Sequence, residues 1–406
     1  MGDAPTSKDV LFVNAPAHGH VNPTLPVAEE LLRRGHRVRY ATGAELLPSV
    51  RAAGAEAVEV PLRMPRPPRF DKDFDPGAMQ PHFEQMLSDM RAALPVLEEE
   101  VERARPDAVL ADAVAPIGRI LTDKHGLDHV ATVPNLASNE QFSLRDEMNA
   151  HWKAGFDPYH PVMVGFVQQV EDFAAEHGVR MAAAGMMSAE PAPLNLVFVP
   201  REFQLAVDTF DERFAFVGPS LAGREDRERW EPADDRPVLF ISLGTVFHER
   251  PEFYRTCLEA FDGTDWQVAM SVGSAVDPAD LGQLPENFEV RSRFPQTAVL
   301  RRASAFLSHS GMNSTMESLY YGVPLIGVPQ MPEQEVNARR AEELGVGRRL
   351  DSDEADAALL RKTVDELARD EQVRANLDQL QRRLRSYGGP VAAADAVEAH
   401  LDSTMD

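Results

Sequence analysis

The alternation of short apolar runs with helical stretches is the feature that most restricts the fold of this chain. Val10–Val13 is an apolar run, the loop Asn14–His20 follows, and helical spacing then holds over Val21–Arg34 until Gly35, a residue suited to a helix C-terminus. A second strand follows at His36–Ala41. Strand, helix and strand in this order form a βαβ unit, which needs a parallel sheet with helices on both faces. The sequence therefore predicts an α/β fold with doubly wound sheets.

The alternation occurs twice along the chain, which predicts two domains. It restarts at Pro237 with the strand Val238–Ser242, after a stretch from Phe210 that is rich in Asp, Glu and Arg. A length of 406 residues also exceeds one ordinary hydrophobic core. We predict two Rossmann-like domains facing across a cleft, with the bounds 1–210 for the first domain, 211–236 for a linker, 237–386 for the second domain and 387–406 for a final helix.

Composition limits the classes of partner. Lys and Arg number 41 against 65 Asp and Glu, a formal net charge of −24, which disfavours nucleic acid and anionic membranes as partners. The first residues are polar and no run of about eighteen apolar residues occurs, so we expect a cytoplasmic protein without a membrane span. The single cysteine, Cys257, is predicted to be a buried thiol. The chain is expected to be a monomer or a homodimer.

A candidate site for a nucleotide diphosphate follows the strand Ala305–Ser308. Gly311 allows a sharp turn, and Asn313 and Ser314 suit the start of the next helix, where free N–H groups and the positive end of the dipole bind anions. His309 can donate to a phosphate oxygen from the strand end. Glu317 lies one turn into the helix on the same face, where its carboxylate can bind ribose hydroxyls.

This segment resembles the nucleotide-sugar signature of the family-one glycosyltransferases of GT-B fold, His-x-Gly-x-Asn-Ser-x-x-Glu. The likeness extends through Gly322 and Pro324 to Glu333 and Gln334, in the place of the family's Asp-Gln pair, which implies that these two bond sugar hydroxyls. The turn that begins at Ser242 ends a strand with small residues that let a diphosphate or sugar approach the backbone. The predicted donor-binding residues are Ser242, Gly244, Thr245, Arg293, Phe294, Gln296, His309, Gly311, Met312, Asn313, Ser314, Glu317, Glu333 and Gln334.

One position departs from the family pattern. The family has Trp-x-Pro-Gln before this motif, with the indole stacked on the base, whereas this chain has Arg293-Phe294-Pro295-Gln296. The guanidinium of Arg293 can stack on a base, or it can stand free in solvent.

A candidate general base lies in the first domain. The turn that contains His20 and Pro23 resembles the family's Gly-His-x-x-Pro turn, in which the histidine is the general base. The positive helix end predicts a neutral imidazole at His20. Asp112 ends a strand at a carboxyl edge and is the predicted orienting partner, as the family implies, whereas Asp107 starts that strand and points to the other edge. His18, in the same turn, is given a minor role.

The whole chain resembles the bacterial macrolide and natural-product glycosyltransferases. The likeness implies inverting, metal-independent transfer of a hexose to a hydroxyl of a macrolide, polyketide or flavonoid, with no cofactor besides the nucleotide sugar. Glu317 favours a ribose with both hydroxyls, hence UDP-glucose as donor. The final helix, Ala392–Leu401, is expected to pack on the first domain, and Pro61–Pro76 and Asn135–Pro193 to supply the acceptor walls. Two alternatives are a dTDP-deoxysugar transferase and a non-catalytic nucleotide-sugar-binding protein.

Overall fold

Two parallel β-sheets organise the chain. The computed structural model describes residues 7–64, 68, 74–152, 160–181, 191–221, 229–244 and 249–403. Helices cover both faces of each sheet, so the predicted α/β fold with two Rossmann-like sheets is confirmed. Among the described residues, no helix is both long enough and apolar enough to cross a membrane.

The first domain is built on a seven-stranded sheet. Its strands are β1 (Asp9–Val13), β2 (Arg37–Thr42), β3 (Glu56–Glu59), β4 (Ala108–Asp112), β5 (Asp128–Val133), β6 (Leu194–Val197) and β7 (Phe214–Phe216), in the spatial order β3-β2-β1-β4-β5-β6-β7. Its helices are α1 (His18–Arg33), α2 (Leu47–Ala52), α3 (Gln80–Arg103), α4 (Pro116–His125), α5 (Leu144–His151) and α6 (Pro161–Glu176). Every residue from Val10 to Val13 is fully buried, as expected for a strand that is covered on both faces.

The second domain is built on a six-stranded sheet. Its strands are β8 (Val238–Ser242), β9 (Gln267–Ser271), β10 (Phe288–Arg291), β11 (Ala303–Ser308), β12 (Leu325–Gly327) and β13 (Gly347–Arg349), in the order β10-β9-β8-β11-β12-β13. Its helices are α7 (Pro251–Phe261), α8 (Gln296–Leu300), α9 (Met312–Tyr321), α10 (Pro332–Glu343), α11 (Ala357–Arg369) and α12 (Glu371–Ser386), and the final helix is α13 (Pro390–Ser403). Cys257 on α7 is fully buried, as predicted.

Each sheet has a point where the strand order reverses. In the first sheet β1 lies between β2 and β4, and in the second sheet β8 lies between β9 and β11. Helices leave such neighbouring strands on opposite faces, so a crevice opens at their carboxyl ends. The residues after β1, β4, β8 and β11 are therefore placed to form a ligand site.

Helices α5 and α13 are among the elements that connect the two domains. Helix α5 of the first domain packs on α10 of the second, and Arg340 on α10 donates to the carbonyl oxygens of Glu202 (2.9 Å) and Phe203 (3.1 Å). Helix α13 returns to the first domain, where Val397 and Leu401 share a core with β1. At the surface, α13 is also held to the end of α1 by the ion pair between Arg34 and Glu398, at 2.5 Å.

One strand lies where the sequence analysis places a linker. Strand β7, Phe214–Phe216, pairs with β6 and so belongs to the first sheet, although it falls within the proposed linker of residues 211–236. The charged residues that suggest a linker surround a strand of only three residues, which is too short to show an apolar pattern.

Candidate active site

His20 and Asp112 meet at the crevice of the first sheet. His20 lies in the first turn of α1, which follows β1, and Asp112 is the last residue of β4, which pairs in parallel with β1. The Nδ1 atom of His20 lies 2.7 Å from Oδ2 of Asp112. The Asp112 side chain is 1% exposed and that of His20 is 18% exposed. The imidazole is therefore held through Nδ1.

The pKa of His20 differs from the expectation drawn from the helix end. Burial lowers this pKa, but the charge of Asp112 and hydrogen bonding to it outweigh burial, and Glu333 adds a smaller contribution. The pKa consequently lies above its ordinary value of 6.5. The expectation was wrong in sign because a full charge in direct contact exceeds the partial charge of a helix terminus. His20 is a stronger base than a free imidazole.

Three buried residues that sequence reasoning missed hold the backbone at His20. The Nδ2 atom of Asn14 donates to the His20 carbonyl oxygen and to Oγ1 of Thr24, both at 3.1 Å. The Thr24 hydroxyl lies 2.5 Å from that of Tyr40, which stacks on Phe12. Asn14 directly follows β1, and a polar residue there was the one available signal. The three fix the main chain from which the imidazole projects.

Asp107 and His18, the alternatives to Asp112 and His20 in the sequence, lie in other surroundings. Asp107 accepts a hydrogen bond from the backbone N–H of Asp9 at 2.6 Å, at the opposite edge of the sheet from Asp112. The side chain of His18 is exposed at the first position of α1.

His309 is enclosed by glycines at the crevice of the second sheet. It follows β11, and a Cβ atom added at Gly244 or at Gly311 would lie 2.5 Å from its ring. Both glycines are therefore required for the imidazole to fit between the two loops. Ser242, the last residue of β8, accepts a hydrogen bond from this ring through its carbonyl oxygen. Thr245, which was also predicted to bind the donor, lies outside the described residues.

The His309 ring is neutral at pH 7. Burial lowers its pKa to about 4, and the bond to the Ser242 carbonyl only partly opposes this effect. A neutral imidazole has a single N–H, which here is directed at Ser242. For His309 to donate to a phosphate oxygen while keeping that bond, the ring must take up a proton.

The start of α9 touches the turn that carries His20. Gly311, the N-terminal capping residue of α9, has no side chain to cap the helix, and the N–H of the first helical residue, Met312, bonds the Glu333 carboxylate. The N–H groups that follow Met312 in the first turn are the ones that can meet an anion. The side chain of Asn313 donates to the Gly19 carbonyl oxygen at 3.2 Å. Pro23, four residues after Gly19 in α1, has no N–H to occupy that carbonyl. The proline thus leaves an acceptor for a contact across the cleft.

Glu317 and Ser314 are linked by Gln296. The amide nitrogen of Gln296 donates to Oε2 of Glu317 at 2.7 Å and to Oγ of Ser314 at 3.1 Å. Glu317 is 1% exposed, so its carboxylate is held in one orientation below the start of α9. The structure brings these three predicted donor residues together.

Glu333 and Gln334 lie in the first turn of α10. The carboxylate of Glu333 accepts from the Met312 N–H and from Asn337, and burial raises its pKa, an effect that these bonds and the charge of His20 partly oppose. The Met312 side chain itself lies in the core of the second domain. Gln334 is buried, and its Oε1 accepts from the Gln330 backbone N–H at 2.9 Å.

Arg293 and Phe294, both predicted to bind the nucleotide sugar near its base, lie in different surroundings. The ring of Phe294 is 4% exposed and packs against Trp230 and Phe240, so it is a core residue and does not present its ring to the donor. Phe294 stands between Arg293 and Pro295 in the sequence, and this local pattern does not reveal that its ring turns inward. The Arg293 side chain is exposed, while the neighbouring Arg291 stacks on Phe294 at 4.8 Å.

Two Rossmann-like domains, with the His20–Asp112 pair in one and the turn before α9 in the other, match the class of GT-B glycosyltransferases. The family model of the erythromycin biosynthesis protein CIII-like C-terminal domain matches residues 256–399. NDP-glycosyltransferase YjiC of Bacillus licheniformis is 40% identical over 97% of this chain and 98% of its own. Oleandomycin glycosyltransferase of Streptomyces antibioticus is 34% identical over 98% and 91%.

A solved structure agrees with these relatives. The calicheamicin glycosyltransferase CalG4 superposes with a TM-score of 0.81 at 36% identity, over 99% of this chain and 100% of that one. The chain belongs to the macrolide and natural-product glycosyltransferases and is an enzyme, which sets aside the alternative of a non-catalytic binding protein.

Proposed function

We propose that this glycosyltransferase moves a hexose from a UDP-sugar, most simply UDP-glucose, to a hydroxyl of a small hydrophobic natural product by one inverting displacement. The observation that carries the proposal is the His20–Asp112 pair at 2.7 Å, joined across the cleft to the start of α9 through Gly19 and Asn313. A base on one domain is thereby adjacent to an anion-binding helix end on the other.

The steps follow from the positions of these groups. Nε2 of His20 removes the proton of the acceptor hydroxyl as its oxygen attacks the anomeric carbon. The bond from that carbon to the diphosphate breaks on the opposite face, and the nucleoside diphosphate leaves with its electron pair. Asp112 stabilises the imidazolium that forms, and the N–H groups at the start of α9 stabilise the charge on the leaving group. We propose that this stabilisation needs no metal ion.

The donor assignment rests on Glu317. Its buried carboxylate is held by Gln296 and can accept from two hydroxyls, and a ribose supplies both whereas a deoxyribose does not. A dTDP-deoxysugar is the second candidate, because Arg293 is exposed where a stacking tryptophan is usual and a relative of 35% identity is named demethyllactenocin mycarosyltransferase (Streptomyces fradiae).

A donor and acceptor panel tests the proposal. UDP- and dTDP-sugars are incubated with macrolide, polyketide and flavonoid acceptors, and products are read by mass spectrometry. We expect product with UDP-glucose; higher kcat/KM with a dTDP-sugar would overturn the donor assignment. The anomeric proton coupling in the NMR spectrum of the product should show a β-linkage from an α-donor, and turnover should survive EDTA.

The role of the base is tested by His20→Ala. The variant should lose transfer by about 10²–10⁴-fold, because the general base is lost. Its affinity for UDP, measured by calorimetry, should stay within about twofold, because the donor loop lies on the other domain. A collapse of UDP binding in a folded variant would contradict this division of roles.

A further inference from the structure

Asn337 is a buried amide that contacts two parts of the donor site at once. It lies one turn after Glu333 on α10, and its side chain is 1% exposed. Its Nδ2 atom donates to Oε1 of Glu333 at 2.8 Å and to the Ser310 carbonyl oxygen at 3.1 Å. It therefore joins the carboxylate at the start of α10 to the loop between β11 and α9.

The orientation of this amide is dictated by its neighbours. Both atoms that it faces, a carboxylate oxygen and a carbonyl oxygen, are acceptors, so the nitrogen must point to them. Its own oxygen, Oδ1, is buried and has no hydrogen-bond partner among the residues that the structure describes. Burying an unpaired polar atom is costly, which a merely space-filling residue would avoid.

The loop that Asn337 holds is strained. Ser310 has φ of 63°, in the left-handed region that residues other than glycine rarely adopt. This conformation places Gly311 and the start of α9 next to His309. A bond to the Ser310 carbonyl favours the strained turn.

The Glu333 carboxylate also lies where the two domains meet. It accepts from the Met312 N–H at the start of α9, and Asn313, the next residue, contacts Gly19 beside His20. A carboxylate on a flexible three-bond side chain can leave this position by rotation. Two bonds, from Met312 and Asn337, keep it there.

We infer that Asn337 is a positioning residue, which orients the Glu333 carboxylate toward the donor sugar and couples it to the Ser310 turn. This inference rests on the proposed function, in which Glu333 binds sugar hydroxyls. Loss of one hydrogen bond to a charged group predicts a fall of about 10- to 100-fold in kcat/KM for the nucleotide sugar. The KM of the acceptor should change little, because the acceptor does not depend on this carboxylate.

A double-mutant cycle with Glu333 tests the inference. Asn337→Ala, Glu333→Ala and the double variant are compared by kcat/KM for UDP-glucose at saturating acceptor. If Asn337 acts through Glu333, Asn337→Ala should lower kcat/KM about 10- to 100-fold in the wild-type background and less than about threefold in the Glu333→Ala background. Equal losses in both backgrounds, or no loss in folded Asn337→Ala, would overturn the inference.

Two further variants separate positioning from folding. Asn376→Ala is the matched control, because Asn376 on α12 also donates to a backbone carbonyl, that of Gly345 at 3.0 Å, away from the cleft. It should leave kcat/KM unchanged. Asn337→Ser, which keeps a small donor, replaces Asn337→Ala in the cycle if the alanine variant does not fold, as judged by thermal melting.

Failure of the proposed function can be distinguished from failure of the positioning role of Asn337. If the wild-type enzyme makes no product with UDP-glucose and any acceptor, the proposed function fails. The same cycle is then measured as the affinity for UDP-glucose by calorimetry. Non-additive losses there would support the positioning role, and additive losses would overturn it.

Discussion

Replacing Asp112 by Asn isolates the contribution of the carboxylate behind His20. The substitution keeps the size of the side chain and removes its charge at a position that is 1% exposed. An imidazolium and a carboxylate whose N and O atoms are 2.7 Å apart attract by about 6 kcal/mol at an effective dielectric constant of about 20. Desolvation of the pair offsets part of this energy.

This attraction of about 6 kcal/mol is the ceiling for the rise in the activation barrier when Asp112 loses its charge. Asp112 stabilises the imidazolium only as the proton arrives, so its removal raises the barrier of the chemical step. A fall in kcat of about 10²–10⁴-fold corresponds to about 3–5 kcal/mol, which lies within the ceiling. UDP affinity should remain within about twofold.

The pH dependence provides a second readout of Asp112→Asn. Because the protonated imidazole is inactive as a base, kcat rises with pH through the pKa of His20, which Asp112 raises above 6.5. In the variant burial still lowers the pKa while the opposing charge is gone, so the rising limb should move to lower pH. Steady-state kinetics at saturating donor and acceptor from pH 5 to 9 measure both quantities.

A matched variant makes this test specific. Asp107→Asn changes an aspartate next to the other end of β4, where the carboxylate bonds the Asp9 N–H, and it should leave kcat and the pH profile unchanged. If Asp112→Asn lowers kcat less than tenfold and does not shift the rising limb of the pH profile of kcat, the assignment of Asp112 as the partner of the base is wrong.

Three further predictions concern other groups. If His309 keeps its bond to the Ser242 carbonyl while it donates to the diphosphate, UDP-glucose binding at pH 7 should take up protons, because a ring with a pKa of about 4 is neutral and has a single N–H. Calorimetry in buffers of different ionisation enthalpy should then show uptake that His309→Gln abolishes, and equal uptake in the variant would contradict this. Arg39→Met should lower the free energy of unfolding, measured by urea titration, by about 3–5 kcal/mol, because the fully buried guanidinium bonds Asp9. Arg37 also bonds Asp9 but is partly exposed, so Arg37→Met should lower it by less than about 1 kcal/mol. Arg293→Trp should tighten UDP binding by about 5- to 100-fold through stacking on the base, and an unchanged Kd would show that the base lies elsewhere.

The sequence could predict the features that depend on local pattern. The βαβ alternation gives the two sheets, since apolar runs bounded by glycine and polar residues form strands wherever both faces are covered. It also places His20 and Asp112 at carboxyl ends, because parallel strands align their ends at one edge of a sheet. Strand β7 was missed because three residues carry too little pattern.

Only the tertiary structure decided the properties that depend on distant groups. The pKa of His20 is raised by Asp112, which is 92 residues away in the chain, and the ring of Phe294 turns inward because Trp230 and Phe240 surround it. Asn337 draws its proposed role from Ser310, 27 residues earlier in the chain. Charge and packing act through space at a few ångströms, and a one-dimensional pattern records neither the distance nor the direction. The sequence thus determined the fold and the location of the site, and the packing of the chain determined how the site is charged, oriented and held.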